Sequence, residues 1–173
     1  MAEHPEPPRP KLGLTTFRQV LVAALSGALL AAFLLSIYDL LEGFPPVVPW
    51  TVPAILVVMA VAAWIYSRGL SRRVAERSVS GVEAVRALAI AKSAIMAGAV
   101  LAGMHAVYVG RWIGQLDAAQ PAQRVLLGSV TLVTAILFTG AGHLLEKACV
   151  TPDDEDEDED PGEGQGQAGR HAE

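Results

Sequence analysis

Hydrophobic positions fall into four long continuous runs rather than a helical or strand alternation, and charged residues mark the edges of each run. The runs cover residues 20–38, 47–66, 93–110 and 125–145, and the last holds a single ionisable side chain, His143. At ~1.5 Å of helical rise per residue, each is long enough to span the ~30 Å hydrocarbon core of a bilayer. Four helices this apolar in a soluble protein would need a polar shell that the chain lacks. The pattern therefore predicts an all-α polytopic membrane protein. Four transmembrane helices at about residues 20–38, 47–66, 88–110 and 125–146 form a small bundle within one domain, residues 16–150. The first run exceeds the ~7 to 15 residues of a signal-peptide core, and Ser36-Ile37-Tyr38 is not a small-residue cleavage site, so it reads as a retained helix.

Basic residues give the orientation. Arg9, Lys11 and Arg18 precede the first run, and Arg68, Arg72, Arg73, Arg77, Arg86 and Lys92 flank the second connection. The first connection has no base, and the third has only Arg111 and Arg124. Because bases are retained on the cytoplasmic side, both termini are expected in the cytoplasm of a multi-pass cell-membrane protein. Tyr38, Trp50, Trp64, Tyr66, Tyr108 and Trp112 all fall near run ends, where amphipathic rings sit at the headgroup level. Pro53 falls in the first turn of the second helix, behind a Thr51 cap, where its missing N–H costs little.

Composition changes the picture only at the ends. The chain is 52% hydrophobic and 18% charged, with a mean hydropathy of +0.39 and a net charge of −5. Residues 153–160 are eight consecutive acids, and without residues 153–173 the chain is basic. The termini, residues 1–15 and 151–173, cannot bury enough surface to offset ordering entropy and are expected to be disordered. A solvated, self-repelling acidic tail is favoured over one that docks on a basic partner. One cysteine, Cys149, excludes an intrachain disulfide and a cysteine-only metal cluster. The charge distribution also excludes a nucleic-acid-binding domain.

Small residues suggest how the helices pack. Ala94, Gly98, Ala102, Ala106 and Gly110 recur every fourth residue in the third run. Gly103 lies beside them, and Ala23, Gly27 and Ala31 stripe the first run. Thr131, Ala135, Thr139 and His143 repeat the spacing in the fourth. Such stripes let helix backbones approach closely in lipid, which predicts a bundle seamed by helices one, three and four.

Ionisable residues near the membrane are the natural place to look for function. His105 and His143 lie at opposite depths on antiparallel helices, which argues against a shared metal site. His105 is expected to hydrogen-bond between helices. Lys92 and His105, thirteen residues apart, fall on nearly opposite faces, so no proton wire follows. Lys92 and Glu146 would meet at the inner interface if helices three and four are neighbours, as a structural ion pair or with Lys92 snorkelling rather than as a transport site. Asp39, Glu42, Arg111 and Arg124 on the outer side read as solvated charges, with a loop-locking pair as the alternative. The stretch from Arg68 to Arg86, with Leu70, Val74, Val82 and Val85 as an apolar face, reads equally as a surface-lying segment that grips anionic headgroups or as the positive-inside signal continued into a helix start. Arg86, Lys92, Glu146 and Cys149 are the only candidates for a cytoplasmic reactive cluster, and no catalytic, phosphate-cradling or metal motif accompanies them.

The stretch AVRALAIAKSAIMAGAVLAGMHAVYVG ending at Gly110, AGHLLEKACVTPDDEDEDED from Ala141 and the Pro45-Pro46 to Trp50 element together resemble a family of small actinobacterial membrane proteins known only as domain of unknown function 3180. Arg86, Ala91-Lys92, Gly98, Gly103, Glu146, Cys149 and Pro152 match its recurring pattern. The resemblance implies four transmembrane helices, no assigned activity, and a genomic context near folate-biosynthesis genes.

These readings lead to a non-enzymatic accessory or scaffold protein of the cell membrane, without a cofactor. Its expected partners are anionic lipid headgroups and a second copy or an unidentified membrane protein, and not nucleic acid. The alternative is a small-solute transport component acting as a homo-oligomer.

Overall fold

The computed structural model describes residues 13–149 apart from Phe44, Arg77, Leu116 and Ala118. The acidic run and residues 1–12, with the disorder expected of them, lie outside the described residues. Among the described residues there are four α-helices, α1 (Phe17–Leu40), α2 (Thr51–Ala75), α3 (Gly81–Trp112) and α4 (Ala119–Ala148), with one 3-10 turn at Ile113–Gln115. All four are long and apolar enough to cross a membrane.

Each helix departs from its hydrophobic run for a local reason. α2 begins at Thr51 and not at residue 47, because Pro49 biases the residue before it toward extended backbone. Trp50 is its N-cap and no side chain caps it, so the expected Thr51 cap is replaced by a Thr51 that is already helical. At the other end the helix runs two turns past Tyr66, since Arg68, Leu70 and Arg72 are good helix formers. α3 likewise starts before its apolar run, at a Ser80 cap whose hydroxyl accepts the Glu83 N–H at 3.3 Å. Only residues 76–80 therefore separate α2 from α3, and the stretch from Arg68 to Arg86 is two helix ends joined by a turn rather than a separate segment. Its apolar residues divide: Leu70 is buried with Ala87, Ala91 and Leu145, whereas Val82 and Val85 are exposed. The turn is fastened by Arg73, whose guanidinium meets Glu83 with N···O distances of 2.7 and 2.8 Å.

The helices pack in the order α1–α3–α4–α2. Helices α1 and α3 run parallel, α3 and α4 antiparallel, and α4 and α2 parallel. The consecutive helices α1 and α2 thus occupy opposite edges, so the seams are α1 on α3, α3 on α4 and α4 on α2, and α1 does not meet α4 extensively. Loop 41–50 joins the two edges. A straight row would set its outer axes at most ~24–30 Å apart, within the ~33–36 Å that ten residues can reach. Contacts of the Pro45 and Pro46 carbonyls with Arg124 and Tyr108 route the loop over the ends of α3 and α4, which defines a loop end of the bundle. The other end, with residues 13–16 and the α2–α3 turn, is the strap end.

Glycine decides the close approaches. A Cβ on Gly27 would collide with the Val100 carbonyl of α3, and one on Gly103 with the Ala24 carbonyl of α1. On the other side of α3, a Cβ on Gly98 would strike the Thr139 hydroxyl and lie 3.0 Å from the Ala135 oxygen. Of the regular stripe in α3, Ala94 and Gly98 are buried, Ala102 is half-buried, and Ala106 and Gly110 are exposed. A step of four residues advances ~40° beyond a full turn, so a long fourth-residue stripe drifts off any one face of a straight helix. Gly103 rather than Gly110 completes the interface, against α1.

Gly103→Ala is expected to lower the melting temperature in mild detergent, because the new methyl has only backbone to displace. Gly110→Ala meets nothing within 4 Å and should be neutral or stabilising, in line with the helix preference for alanine. Equal melting temperatures for the two variants would contradict this seam.

Candidate functional site

Glu146 stands in the last turn of α4, where a carboxylate is disfavoured by the negative helix end and, with 0% of its side chain exposed, by desolvation. Residues 13–15 compensate. The sequence assigns them to the N-terminal tail, yet Thr15 is buried, and its N–H and hydroxyl both donate to Glu146 Oε1, at 2.9 and 2.7 Å. The segment before α1 therefore passes beside α3 to reach α4. Gln19 fixes its exit into the helix by accepting the Thr16 N–H at 3.0 Å.

Lys92 of α3 supports the same strap. Its ammonium donates to the Gly13 carbonyl at 2.8 Å and lies 3.7 Å from Glu146 Oε1. The expected Lys92–Glu146 pair is thus present as a charge contact, while the lysine's hydrogen bond goes to the strap backbone. The second carboxylate oxygen has no hydrogen-bond partner among the described residues and faces His143 Nδ1 at 3.6 Å. Arg86 is exposed on α3 and takes no part among the described contacts.

Cys149 closes this end. Its thiol donates to the Leu145 carbonyl at 3.2 Å and packs against the apolar cluster of Leu70, Ala87, Ala91 and Leu145. Burial pushes its pKa up, and the neighbouring Glu146 carboxylate adds to that. The thiolate required of a nucleophile or metal ligand is disfavoured. Among the described residues, no three His, Cys, Asp or Glu side chains converge as a metal would need.

The loop end holds a second crossbar that the sequence does not disclose. Arg124 is only 5% exposed, a correction to its reading as a solvated charge. Its Nη1 donates to the Pro45 carbonyl at 2.6 Å, and its guanidinium stacks 4.8 Å from the Trp112 ring centroid. Tyr108 donates its hydroxyl proton to the Pro46 carbonyl at 3.2 Å. Residues 45 and 46 lie outside any helix or strand, so their carbonyls have no regular backbone partner, and the loop's course over α3 and α4 brings them to Arg124 and Tyr108. Asp39 and Arg111, at 3.6 Å and both largely exposed, tie the end of α1 to the end of α3, a contact that contributes only ~0–1 kcal/mol.

His105 makes a different bond from the expected one. Its Nδ1 donates to the Leu101 carbonyl one turn back in α3, at 2.8 Å. The carbonyl four residues earlier lies within reach on the same face, so Nδ1 is satisfied inside its own helix. It stands edge-on to Tyr108, centroids 6.5 Å apart. Thr131, Thr134 and Thr139 also return their hydroxyls to α4 carbonyls.

The contacts of Thr15, Gly13, Pro45 and Pro46 were missed by sequence reasoning, because strap and loop contacts link residues 62 to 131 positions apart. Glu146 was legible as an acid at the end of an apolar run.

Glu146→Gln is expected to destabilise the bundle more than Lys92→Met, since the amide oxygen that remains accepts both Thr15 donors without charge, at ~0.5–1.5 kcal/mol each in place of the ~1.5–3 kcal/mol of bonds to a charged group. The double variant should cost less than the sum, with a coupling of about 0.5 kcal/mol or more. Strict additivity of melting free energies in mild detergent would remove Lys92 from the crossbar. In a separate measurement, Cys149 should react slowly with thiol reagents at neutral pH and faster as pH rises. Glu146→Gln, read well below melting, should move that profile to lower pH. An unchanged profile would mean that the carboxylate does not act on the thiol.

Comparison with curated proteins and with solved structures finds no match. A family model described as "Protein of unknown function (DUF3180)" matches residues 20–153, and that match includes Lys92, Gly98, Gly103, Arg124 and Glu146. The chain is a four-helix membrane protein that belongs to the DUF3180 family of proteins of unknown function.

Proposed function

We propose that this chain is a non-enzymatic accessory or scaffold protein of the cell membrane, with both termini cytoplasmic, that presents its edge helices to a membrane partner or to a second copy. One observation carries the reading: the buried charged groups at each end, Glu146 and Arg124, fasten the chain to itself. Glu146 and Lys92 hold the strap, and Arg124 and Tyr108 hold the loop. Between them, α3 is pressed on both sides against neighbouring backbone at Gly27, Gly98 and Gly103. Such a core favours one fixed arrangement, whereas transport requires two. Orientation rests on the bases of the strap end, Arg18, Arg68, Arg72, Arg73, Arg86 and Lys92, which the positive-inside rule places in the cytoplasm.

Labelling in intact cells tests the orientation in a Cys149→Ala background. An impermeant reagent is expected to reach a cysteine introduced at Gln120 and not one at Asp156, and the reverse pattern overturns it. For the scaffold role, cross-linking in native membranes should trap the chain at fixed stoichiometry in a larger assembly. Recovery of monomer alone, or solute flux into vesicles that contain only this protein, would overturn it.

A further inference from the structure

A groove between α2 and α4 at the strap end lies apart from both crossbars. It is an open groove of about 380 Å³, lined by Trp64, Ser67, Arg68 and Ser71 of α2 and by Leu144 and Lys147 of α4. Because these helices run parallel, their two cations stand at one level. Among the described residues, no carboxylate lines the groove and no ion pair engages Arg68 or Lys147.

The groove's chemistry is selective. The Arg68 guanidinium lies 4.2 Å from the Trp64 ring centroid, a stacking that leaves its in-plane N–H edges available for a bidentate oxyanion. Ser67 and Ser71 donate their hydroxyl protons to the Trp64 and Ser67 carbonyls, at 2.8 and 2.9 Å, so each side-chain oxygen remains as an acceptor. The site thus offers two cations to an anion and two acceptors to hydroxyl groups. A headgroup that carries its own cation would meet Arg68 and Lys147 with like charge.

The surroundings supply the rest of a lipid. Val61, Trp64, Ile65 and Arg68 follow one another at helical spacing on α2, as do Leu137, Leu144 and Lys147 on α4. The apolar members of both stripes are exposed. Each cation therefore caps a lipid-facing apolar stripe at the depth where an interfacial tryptophan sits. We propose that this groove binds the headgroup of an anionic phospholipid of the phosphatidylglycerol type, its phosphate between Arg68 and Lys147 and its headgroup hydroxyls on the serine oxygens. Such basic pockets between transmembrane helices suit anionic headgroups in general.

Native mass spectrometry of the full chain in mild detergent, with added phosphatidylglycerol, phosphatidic acid or phosphatidylcholine, tests this. Phosphatidylglycerol is expected to be retained in preference to phosphatidylcholine. Arg68→Gln and Lys147→Gln should each weaken retention about fivefold, the loss of one headgroup charge contact. Arg86→Gln, at the same end but outside the groove, should leave it unchanged, and a melting temperature within a few degrees of the parent shows that each variant is folded. Ser71→Ala should weaken phosphatidylglycerol and spare phosphatidic acid, which has no headgroup hydroxyl. Equal retention of phosphatidylcholine would overturn the proposal, as would an equal loss in Arg86→Gln. Displacement of the lipid by millimolar inorganic phosphate would assign the groove to free phosphate instead. Retention that appears only after removal of residues 153–173 would assign it to the chain's own acidic run.

Discussion

Backbone contact along α3 is the constraint from which the rest of the arrangement follows. In a bilayer, helix and lipid are equally apolar, so helices associate through close packing rather than through a hydrophobic effect. Gly103 with Ala24, and Gly98 with Ala135 and Thr139, bring α3 into such contact on two faces. With α1 on one side of α3 and α4 on the other, α2 packs mainly on α4, and its Leu56 and Leu70 reach the α3 residues beside that seam. The chain order and the packing order then disagree, and the connections must bridge the difference.

That disagreement explains the two buried charges. Loop 41–50 crosses α3 and α4, which lays the Pro45 and Pro46 carbonyls over Arg124 and Tyr108. At the opposite end, the approach to α1 reaches past α3 to α4, where Glu146 accepts it. A buried ion is costly, and its worth depends on being fully served by donors or acceptors. Here each ion holds down a segment that enters or leaves α1. The charges thus act on chain routing, and removal of a partner is felt as a loosened edge helix rather than as a lost surface contact.

The edges remain the open part of the molecule. Only 11% of the apolar window of α1 and 22% of that of α2 is buried, against 39% and 44% for α3 and α4. The central hairpin is the packed unit, and the outer pair presents wide apolar surfaces to lipid or to a partner. The groove on α2 and α4 lies at such an edge, and its two cations make no ion pair among the described residues, whereas Lys92 and Arg124 are spent within the fold.

Four spans, their approximate limits and the basic end were determined by the sequence alone, since hydrophobic length and charge placement are local properties and a bilayer reads them directly. Gly98, Gly103 and Glu146 were legible for the same reason: a small residue or an acid in an apolar run has few roles. Which helices touch was not legible. A fourth-residue stripe is compatible with several faces, and only the completed packing shows that Gly98 and Gly103 serve different neighbours. Nor were the burial of Arg124 and the recruitment of Thr15. Both depend on α1 and α2 lying at opposite edges, and the contacts that result join residues 79 and 131 positions apart, a separation over which local pattern carries no information.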